Sequence, residues 1–377
     1  MKKNILFVVH SYIDMSFLLP MIQILSKNNN ITVEFLENFS IHKVDKITQN
    51  MLRDANNIVF INNTKLFFYI NYLVKKVFGK NLLVLNDIFI RLYSKKYKIF
   101  DSIITDFTLG SNGSPFLKRE ILSFVKIKHG FVHSIAVSSS LKIKKYNLSR
   151  VRLLANNFTQ IYYGDNTWMN FLKISGVKQT KFFPSIKFSK FYNDKLIDSI
   201  KKYSNVSSIK RNENYKDIVL YIDTRITGNE GKTKEISNQF MLLIKNNVDT
   251  LFILKVKPRQ YTGILSFIHE KFQNLLIVND EYSVDELAYI SDLIIGRISS
   301  TLLLGVFHSK KVLLFGKYRY SGTELMKTVD DSSLIDVYYK KLNMVTEENC
   351  QFFIDKNKLN QEESFYIGAL NEIIMES

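Results

Sequence analysis

Short runs of apolar residues alternate along the chain with longer segments of helical periodicity. In the first half, apolar or β-branched runs predict strands at residues 5–9, 31–35, 58–61, 82–85, 102–105 and 125–128. A helix is predicted between the first two strands, at residues 16–26. Strands that are apolar throughout and separated by helices are typical of a parallel sheet covered on both faces.

The same pattern starts again in the second half of the chain. Strands are predicted there at residues 218–222, 251–255, 275–278, 293–295 and 312–315. The polar, charged segment before them is the best candidate for a linker. We therefore predict an α/β protein of the GT-B type, with two Rossmann-like doubly wound domains facing a central cleft. The predicted ranges are 1–190 for an acceptor domain, 191–216 for the linker and 217–377 for a donor domain.

Composition agrees with a folded protein of two domains. The chain has 377 residues, which is more than one compact core usually holds. Of these residues 46% are hydrophobic and only four are prolines, as in a folded protein. Its single cysteine, Cys350, excludes a disulfide framework and a cysteine metal site and suits a reducing cytosol. No apolar run reaches the roughly 18 residues of a membrane span. The start of the chain looks like a secretory signal but lacks a cleavage site, so we expect a cytoplasmic protein.

The net charge of +17 needs an anionic partner or another explanation. No DNA- or RNA-binding motif is present, and we expect no nucleic-acid partner. Lysine, asparagine and isoleucine abound throughout the chain, so biased composition is one explanation of the charge. Residues 65–80, however, mix aromatic side chains with a basic flank. They could lie on the anionic cytoplasmic face of the inner membrane as a peripheral contact, or form an ordinary core helix.

Candidate chemistry concentrates where the strands of the second half end. After residues 293–295 come Arg297, Ser299, Ser300 and Thr301. Ser299 and Ser300 fit a helix N-cap, and a helix N-terminus after a parallel strand can bind phosphate, with Arg297 adding a charged hydrogen bond. The alternative is an ordinary strand-turn-helix unit with a good cap.

Two neighbouring strands end in loops of the same chemistry. The residues concerned are Thr224, Arg225, Lys255, Lys257 and Arg259. Because parallel strands bring such loops to one edge of the sheet, we expect a positive, hydroxyl-rich pocket suited to a diphosphate or a phosphodiester. Taken singly, each loop could be solvated surface. No sequence motif for a transition metal or a Walker loop is present, and we expect neither a metal nor another cofactor.

Several short motifs follow one another in a recognisable order. A first-domain strand runs into Lys128-His129-Gly130, the second domain opens onto Asp223-Thr224-Arg225, and Lys255-Val256-Lys257-Pro258 and the Ser299-Ser300 pair come later. This order resembles the GT-B glycosyltransferases of bacterial surface polysaccharide biosynthesis, and more narrowly the CDP-glycerol glycerophosphotransferase and capsular Kdo-transferase type. Those families carry histidine where this chain has Lys257, and lysine binds phosphate with a different geometry.

An inverting transferase needs a base for the acceptor hydroxyl. His129 is the first candidate, because it is predicted to end a first-domain strand facing the cleft and because histidine as a residue type titrates near neutral pH. The resemblance implies the same role. Asp106 and Asp14 are rival bases, and Gly130 and Ser11 are expected on the acceptor side. A structural role for each is the alternative.

The resemblance also implies that Glu281 binds ribose or sugar hydroxyls. It and the nearby Asp285 and Glu286 could equally form the charged first turn of a helix.

The sequence therefore predicts a metal-independent, inverting glycosyltransferase. It would move a sugar, or a sugar-like phosphoalcohol, from a nucleotide-activated donor to a glycan or lipid-linked glycan acceptor of the capsule, lipopolysaccharide or teichoic-acid type. The basic loops would stabilise the leaving nucleotide. Two alternatives stay open: a sugar-nucleotide 2-epimerase of the same fold, and a non-catalytic subunit of glycan assembly.

Overall fold

The computed structural model describes most of the chain. The described residues are 2–36, 39–78, 84–107, 121–132, 145–212, 215–222, 230–256, 263–279, 281–297, 302–315, 318–319, 328–329 and 332–375. The chain divides into two compact units. The first unit extends to Tyr192 and takes up the chain again at Gln361, and the second contains Asn193–Asn360.

The first unit is built on a parallel sheet of seven described strands. They are β1 Asn4–Val9, β2 Asn30–Phe35, β3 Ile58–Ile61, β4 Ser102–Asp106, β5 Ile127–Phe131, β6 Gln160–Tyr163 and β7 Thr180–Phe182. Their order is β3-β2-β1-β4-β5-β6-β7. In β1, residues 5–9 are fully buried, because helices cover both faces of the sheet at its centre.

The helices of this unit follow the strands in alternation. They are α1 Tyr12–Ser26, α2 Lys46–Arg53, α3 Thr64–Phe78, α4 Val84–Tyr97, α5 Lys145–Ala155 and α6 Asn166–Ile174, with 3₁₀ turns at Ile41–Lys43 and Ile186–Phe188. Polar caps mark several starts: Ser11 accepts a hydrogen bond from the backbone of Asp14, and Asp45 from that of Thr48. The division between the units falls within α7, Lys190–Tyr203.

The second unit has a parallel sheet of five described strands in the order β10-β9-β8-β11-β12. They are β8 Asp217–Ile222, β9 Thr250–Lys255, β10 Leu275–Val278, β11 Leu293–Gly296 and β12 Lys311–Leu314, and a short antiparallel pair, β13 Tyr318–Arg319 and β14 Thr328–Val329, follows. The helices are α8 Ser207–Asn212, α9 Glu230–Asn246, α10 Val284–Ile290, α11 Leu303–Phe307, α12 Leu334–Lys340 and α13 Glu347–Lys356, with a 3₁₀ turn at Ile264–Phe267. Tyr221, Phe240 and Phe252 lie in its core.

The predicted architecture of two doubly wound parallel sheets is confirmed. Two predicted strands need correction. Residues 84 and 85, predicted as part of a strand, begin α4, because a short apolar run fits a buried helix as well as a strand; residues 82 and 83 lie outside the described part. The strand predicted at 125–128 runs instead over Ile127–Phe131. The strands β6 and β7 were not predicted.

The structure divides the chain differently from the predicted ranges. Residues 191–212 of the predicted linker are largely helical, in α7 and α8. The last helix, α14 Glu363–Met375, belongs to the first unit although the prediction assigned it to the second domain. There the ring of its buried Tyr366 lies 6.2 Å from that of Phe183, and Lys27 pairs with Glu363 at 2.8 Å. Burial of the Tyr366 ring therefore places α14 in the first unit, although the second unit directly precedes it in the sequence.

A buried carboxyl group lies between β2 and the start of α3. Glu34 is fully buried and accepts hydrogen bonds from the backbone N–H and the side-chain amide of Asn63, at 2.7 and 3.2 Å. The Tyr97 hydroxyl lies beside the same carboxyl group. Burial raises the pKa of Glu34 from 4.5 to about 7, and the hydrogen bonds oppose only part of that rise.

We expect the wild-type protein to lose stability as the pH rises from about 4.5 to about 7, because the unfolded chain releases the Glu34 proton in this range while burial keeps the carboxyl group of the folded protein protonated. Glu34→Gln removes this component, which is roughly 3 kcal/mol. Between pH 5 and pH 8, the free energy of unfolding measured with urea should therefore fall by roughly that amount more in the wild type than in the variant. Glu372→Gln, at an exposed position of α14, is the matched control; an equal gain in both variants contradicts the prediction.

Candidate functional site

A histidine and a carboxylate lie together where β1 ends. The apolar strand stops at Val9, and His10 and Ser11 lead into α1. The His10 Nδ1 contacts Asp14 Oδ2, and the His10 backbone N–H donates to the same oxygen at 3.1 Å. The Ser11 hydroxyl donates to Asp14 Oδ1 at 3.0 Å, and its oxygen accepts from the Asp14 backbone at 3.2 Å. A serine cap and an acidic first turn are favoured at a helix N-terminus.

Exposure differs between the two partners of this pair. The side chain of Asp14 is 2% exposed and that of His10 is 17% exposed. A buried carboxylate at Nδ1 fixes the imidazole ring and its tautomer and stabilises the ring once it has taken up a proton. The other ring nitrogen, Nε2, is then the proton acceptor. His10 and Asp14 therefore form an oriented base at the carboxyl edge of the first sheet.

The other two predicted bases lie on neighbouring strands. Asp106 is the last residue of β4 and fully buried, and His129 lies in β5 opposite Ile104. Since Asp106 is opposite Phe131, two residues beyond His129, the two side chains share one face of the sheet. His129 was predicted to end its strand, and β5 continues two residues further, to Phe131, through pairing with β4 and β6.

His129 is part of an aromatic cluster in the interior of the unit. It is 4% exposed, and its ring lies 5.9 Å from that of Tyr162, which stacks on Phe131 at 4.6 Å. Tyr162 also lies 6.0 Å from Phe183, which in turn contacts the last helix. A ring buried in this way has no direct access to an acceptor, so the geometry favours His10 over His129 as the base.

Gly130, predicted on the acceptor side, has a packing role. A Cβ atom at this position would lie 2.9 Å from two ring carbons of Phe158. Phe158 belongs to a hydrophobic core cluster of the unit. Glycine therefore lets this ring approach the backbone of β5.

In the second unit, the predicted donor residue Lys255 is used by the fold. It is the last residue of β9 and 6% exposed. Its ammonium group donates to the backbone carbonyl of Tyr282 at 3.0 Å and to that of Asn279. These contacts hold the segment after β10, in which Glu281 is exposed. Two of the three ammonium protons of Lys255 thus bind main-chain oxygens, and its predicted contact with a diphosphate stays a prediction.

The acidic residues beyond Glu281 start a helix. Glu286 forms a capping box with Ser283 at the start of α10, with hydrogen bonds of 2.7 and 3.2 Å, and contacts the hydroxyl of Ser204. Of the two interpretations of this residue, the structure supports the helix turn.

Arg297 follows β11 and is partly exposed. The next described helix, α11, begins at Leu303 with Leu302 at its N-cap. The predicted N-cap at Ser299 or Ser300 lies outside the described residues and stays a prediction. Six more predicted donor residues, besides Ser299, lie outside the described part of the chain, and their roles stay predictions: Thr224, Arg225, Lys257, Arg259, Ser300 and Thr301.

Sequence reasoning missed His10. Its signal is the spacing from His10 to Asp14 directly after a strand, with a serine cap between them, because a first helical turn brings such residues together.

Among the described residues, no group of three or more histidine, cysteine or acidic side chains could hold a metal ion. The predicted independence from metal stays a prediction.

No family model and no curated protein matches this sequence. Solved structures do match along almost the whole chain. The UDP-GlcNAc 2-epimerase from Neisseria meningitidis bound to UDP-GlcNAc is 14% identical, with a TM-score of 0.60, over 99% of this chain and 98% of that one. The wall teichoic acid polymerase TagF is also 14% identical, with a TM-score of 0.58, over 99% of this chain and 90% of that one.

A UDP-forming α,α-trehalose-phosphate synthase from Burkholderia xenovorans has a TM-score of 0.58 at 9% identity, over 100% of this chain and 99% of that one. At such low identity the likeness shows the fold alone. The two sheets with these neighbours give the chain a GT-B fold.

If Gly130 serves packing, Gly130→Ala should destabilise the protein by roughly 1–3 kcal/mol, because the new methyl group displaces the Phe158 ring. Urea unfolding measures this loss. Adding Phe158→Leu to Gly130→Ala should cost less than the sum of the two single changes. Full stability of Gly130→Ala would contradict this role.

Lys255 and Lys257 should respond differently to the same substitution. Lys255→Met leaves two main-chain carbonyls without their donor and should lower stability by roughly 1–3 kcal/mol. Lys257→Met should leave the unfolding free energy unchanged and weaken nucleotide binding. Urea unfolding and nucleotide titration of both variants check the pair, and equal loss of stability would remove the distinction.

Proposed function

We propose that this chain is a glycosyltransferase that moves a sugar, or a sugar-like phosphoalcohol, from a nucleotide-activated donor to a hydroxyl group of a cell-surface glycan. The acceptor would be a glycan or lipid-linked glycan of the capsule, lipopolysaccharide or teichoic-acid type. The observation that carries the proposal is the His10–Asp14 pair at the carboxyl edge of the first sheet, where ligands bind in folds of this kind.

With a sugar donor, the acceptor oxygen attacks the anomeric carbon while the bond from that carbon to the phosphate oxygen breaks. With a phosphoalcohol donor, it attacks the phosphorus of the transferred group while the bond from that phosphorus to the bridging oxygen of the nucleotide breaks. His10 Nε2 takes the proton of the hydroxyl group, and Asp14 stabilises the resulting imidazolium. The electron pair of the broken bond leaves with the nucleotide. Attack from the face opposite the leaving group, aided by one base, inverts the configuration at the anomeric carbon.

The negative charge on the leaving phosphate requires cations near it. We assign this role to Arg297, Lys257 and Arg259, with the hydroxyl groups of Thr224, Ser300 and Thr301 as further partners. Lys255 is left out because its ammonium group binds main-chain oxygens. With these cations in place the reaction proceeds without a divalent metal.

The structural neighbours support a nucleotide sugar as the donor. One of them was solved with UDP-GlcNAc, another forms UDP and a third is a teichoic acid polymerase. A thermal-shift series with UDP, CDP, CMP and GDP identifies the nucleobase of the donor. A ligand at a hundred times its Kd adds about 2.7 kcal/mol of stability, so the preferred nucleotide should give the largest shift.

A sugar-nucleotide 2-epimerase is the second candidate, favoured by the likeness to the Neisseria enzyme. Epimerisation removes a proton from one face of a carbon and returns one to the other face. That chemistry needs proton-transferring groups on both sides of the sugar. The described edge of the first sheet offers one oriented base, the His10–Asp14 pair. Incubating the protein with nucleotide sugars in the absence of acceptor, and looking for an epimer by NMR, separates the two candidates.

His10→Gln should lower the turnover number roughly 100- to 10,000-fold, the usual contribution of a general base. Asp14→Asn should also lower it, since the ring loses its orienting carboxylate. Nucleotide-induced thermal shifts should stay unchanged in both variants, because the base does not hold the donor. Transfer of labelled sugar to acceptor glycan measures the turnover.

His269→Gln, at an exposed position of the second unit, is the matched control and should retain wild-type turnover. Wild-type turnover of His10→Gln would contradict the role of the base. A protein that neither shifts with any nucleotide nor transfers sugar would fit the non-catalytic subunit instead.

A further inference from the structure

Large apolar side chains on α3 are exposed to solvent. Tyr69 is 59% exposed and Val77 is 71% exposed, and Ile70, Tyr72 and Leu73 are exposed as well. Scattered exposed apolar residues are ordinary, but a contiguous group of them marks an interaction surface. For these side chains, the alternative of an ordinary core helix is contradicted.

The spacing of these residues places them together. Tyr69, Tyr72, Leu73, Lys76 and Val77 follow one another at intervals of three, one, three and one residues, which is the repeat of a single helix face. Lys65 precedes Tyr69 by one helical turn on the same side. We call these six residues the α3 face.

The other side of the helix is fixed in the unit. Thr64, which lies opposite the α3 face, is fully buried, and its hydroxyl donates to the Phe35 carbonyl at 3.4 Å. The preceding residue, Asn63, donates to the buried Glu34. These contacts attach the start of the helix to the sheet of the first unit.

The charged residues of the α3 face itself have one sign. Lys65 and Lys76 are exposed, and no carboxylate occurs in the sequence between Asp54 and Asp87. The contacting helix α4 adds exposed basic side chains near its end: Arg91, Lys95 and Lys96. Two copies of this chain docked face to face would bring lysines together with no carboxylate in the face to pair them. An anionic surface is the complementary partner.

The side chains fit the boundary of a lipid bilayer. Tyrosine rings have an apolar body and a polar tip that suit the headgroup region, and leucine and valine suit the acyl chains just below. Lysines on the same face reach lipid phosphates through long apolar stems. Among the described residues, no helix is long and apolar enough to cross a membrane, so the contact would lie in the plane of the surface.

We propose that the α3 face docks on an anionic phospholipid surface, with Tyr69, Tyr72, Leu73 and Val77 in the headgroup boundary and Lys65 and Lys76 on lipid phosphates. This docking is independent of the proposed transfer reaction. It would apply to an epimerase or an assembly subunit as well.

The test uses the full chain in sedimentation with vesicles of phosphatidylcholine alone or mixed with phosphatidylglycerol, at low and high salt. Wild-type protein should bind the mixed vesicles at least about tenfold more tightly than the neutral ones, and high salt should weaken that binding. A triple variant, Tyr69→Ser with Leu73→Ser and Val77→Ser, should lose roughly tenfold or more in affinity for the mixed vesicles.

The matched control replaces three exposed apolar residues of the second unit, Leu242→Ser, Val248→Ser and Ile277→Ser, and should bind like the wild type. Lys65→Glu with Lys76→Glu should abolish the preference for phosphatidylglycerol. Lys173→Glu with Lys178→Glu makes the same change of charge at exposed positions elsewhere on the first unit and should preserve it.

Two outcomes would overturn the proposal. One is equal vesicle binding by the wild type and the α3 triple variant. The other is a wild-type dimer in light scattering that the triple variant converts to a monomer, which would assign the face to a second copy of the chain. Urea unfolding should give the same free energy of unfolding for the wild type and both triple variants. Thermal shifts induced by nucleotides report separately on the proposed activity.

Discussion

The position of β1 in the middle of the first sheet is the constraint on which the candidate site depends. Pairing with β2 on one side and β4 on the other, and burial on both faces, leave the strand a single register and a single end point. His10 and Ser11 follow at that end, and the helix they start returns Asp14 to the imidazole ring. The position of the oriented base is thus determined by a buried strand at the centre of the first sheet.

Most of this architecture can be predicted from the sequence, because the central strands are largely apolar and their local pattern agrees with their burial in the folded protein. The errors occur where local pattern and tertiary context disagree. Residues 84 and 85 belong to a helix because an apolar run of a few residues has no period of its own. The strand β5 extends through His129 and Gly130, two residues without β propensity, because hydrogen bonds to both neighbouring strands fix it there.

The candidate site was harder to predict than the fold. Lys255 looks in sequence like a phosphate ligand, and only the structure shows that two main-chain carbonyl groups after β10 accept hydrogen bonds from it. The role of Gly130 depends on Phe158, which is distant in sequence. His10 could have been found from its spacing to Asp14, but that spacing has meaning only once the strand before it and the cap between them are known. Because transferases and epimerases share this fold, the fold does not distinguish the two activities. The side chains at the edge of the sheet must distinguish them.

The return of α14 to the first unit has a consequence for biosynthesis. Tyr366 fills a position beside Phe183 and Phe191 that belongs to the first unit. A ribosome completes the second unit before it has made this helix. The first unit therefore emerges early but lacks this helix until the whole second unit has been made, and its aromatic surface stays open to chaperones for that time.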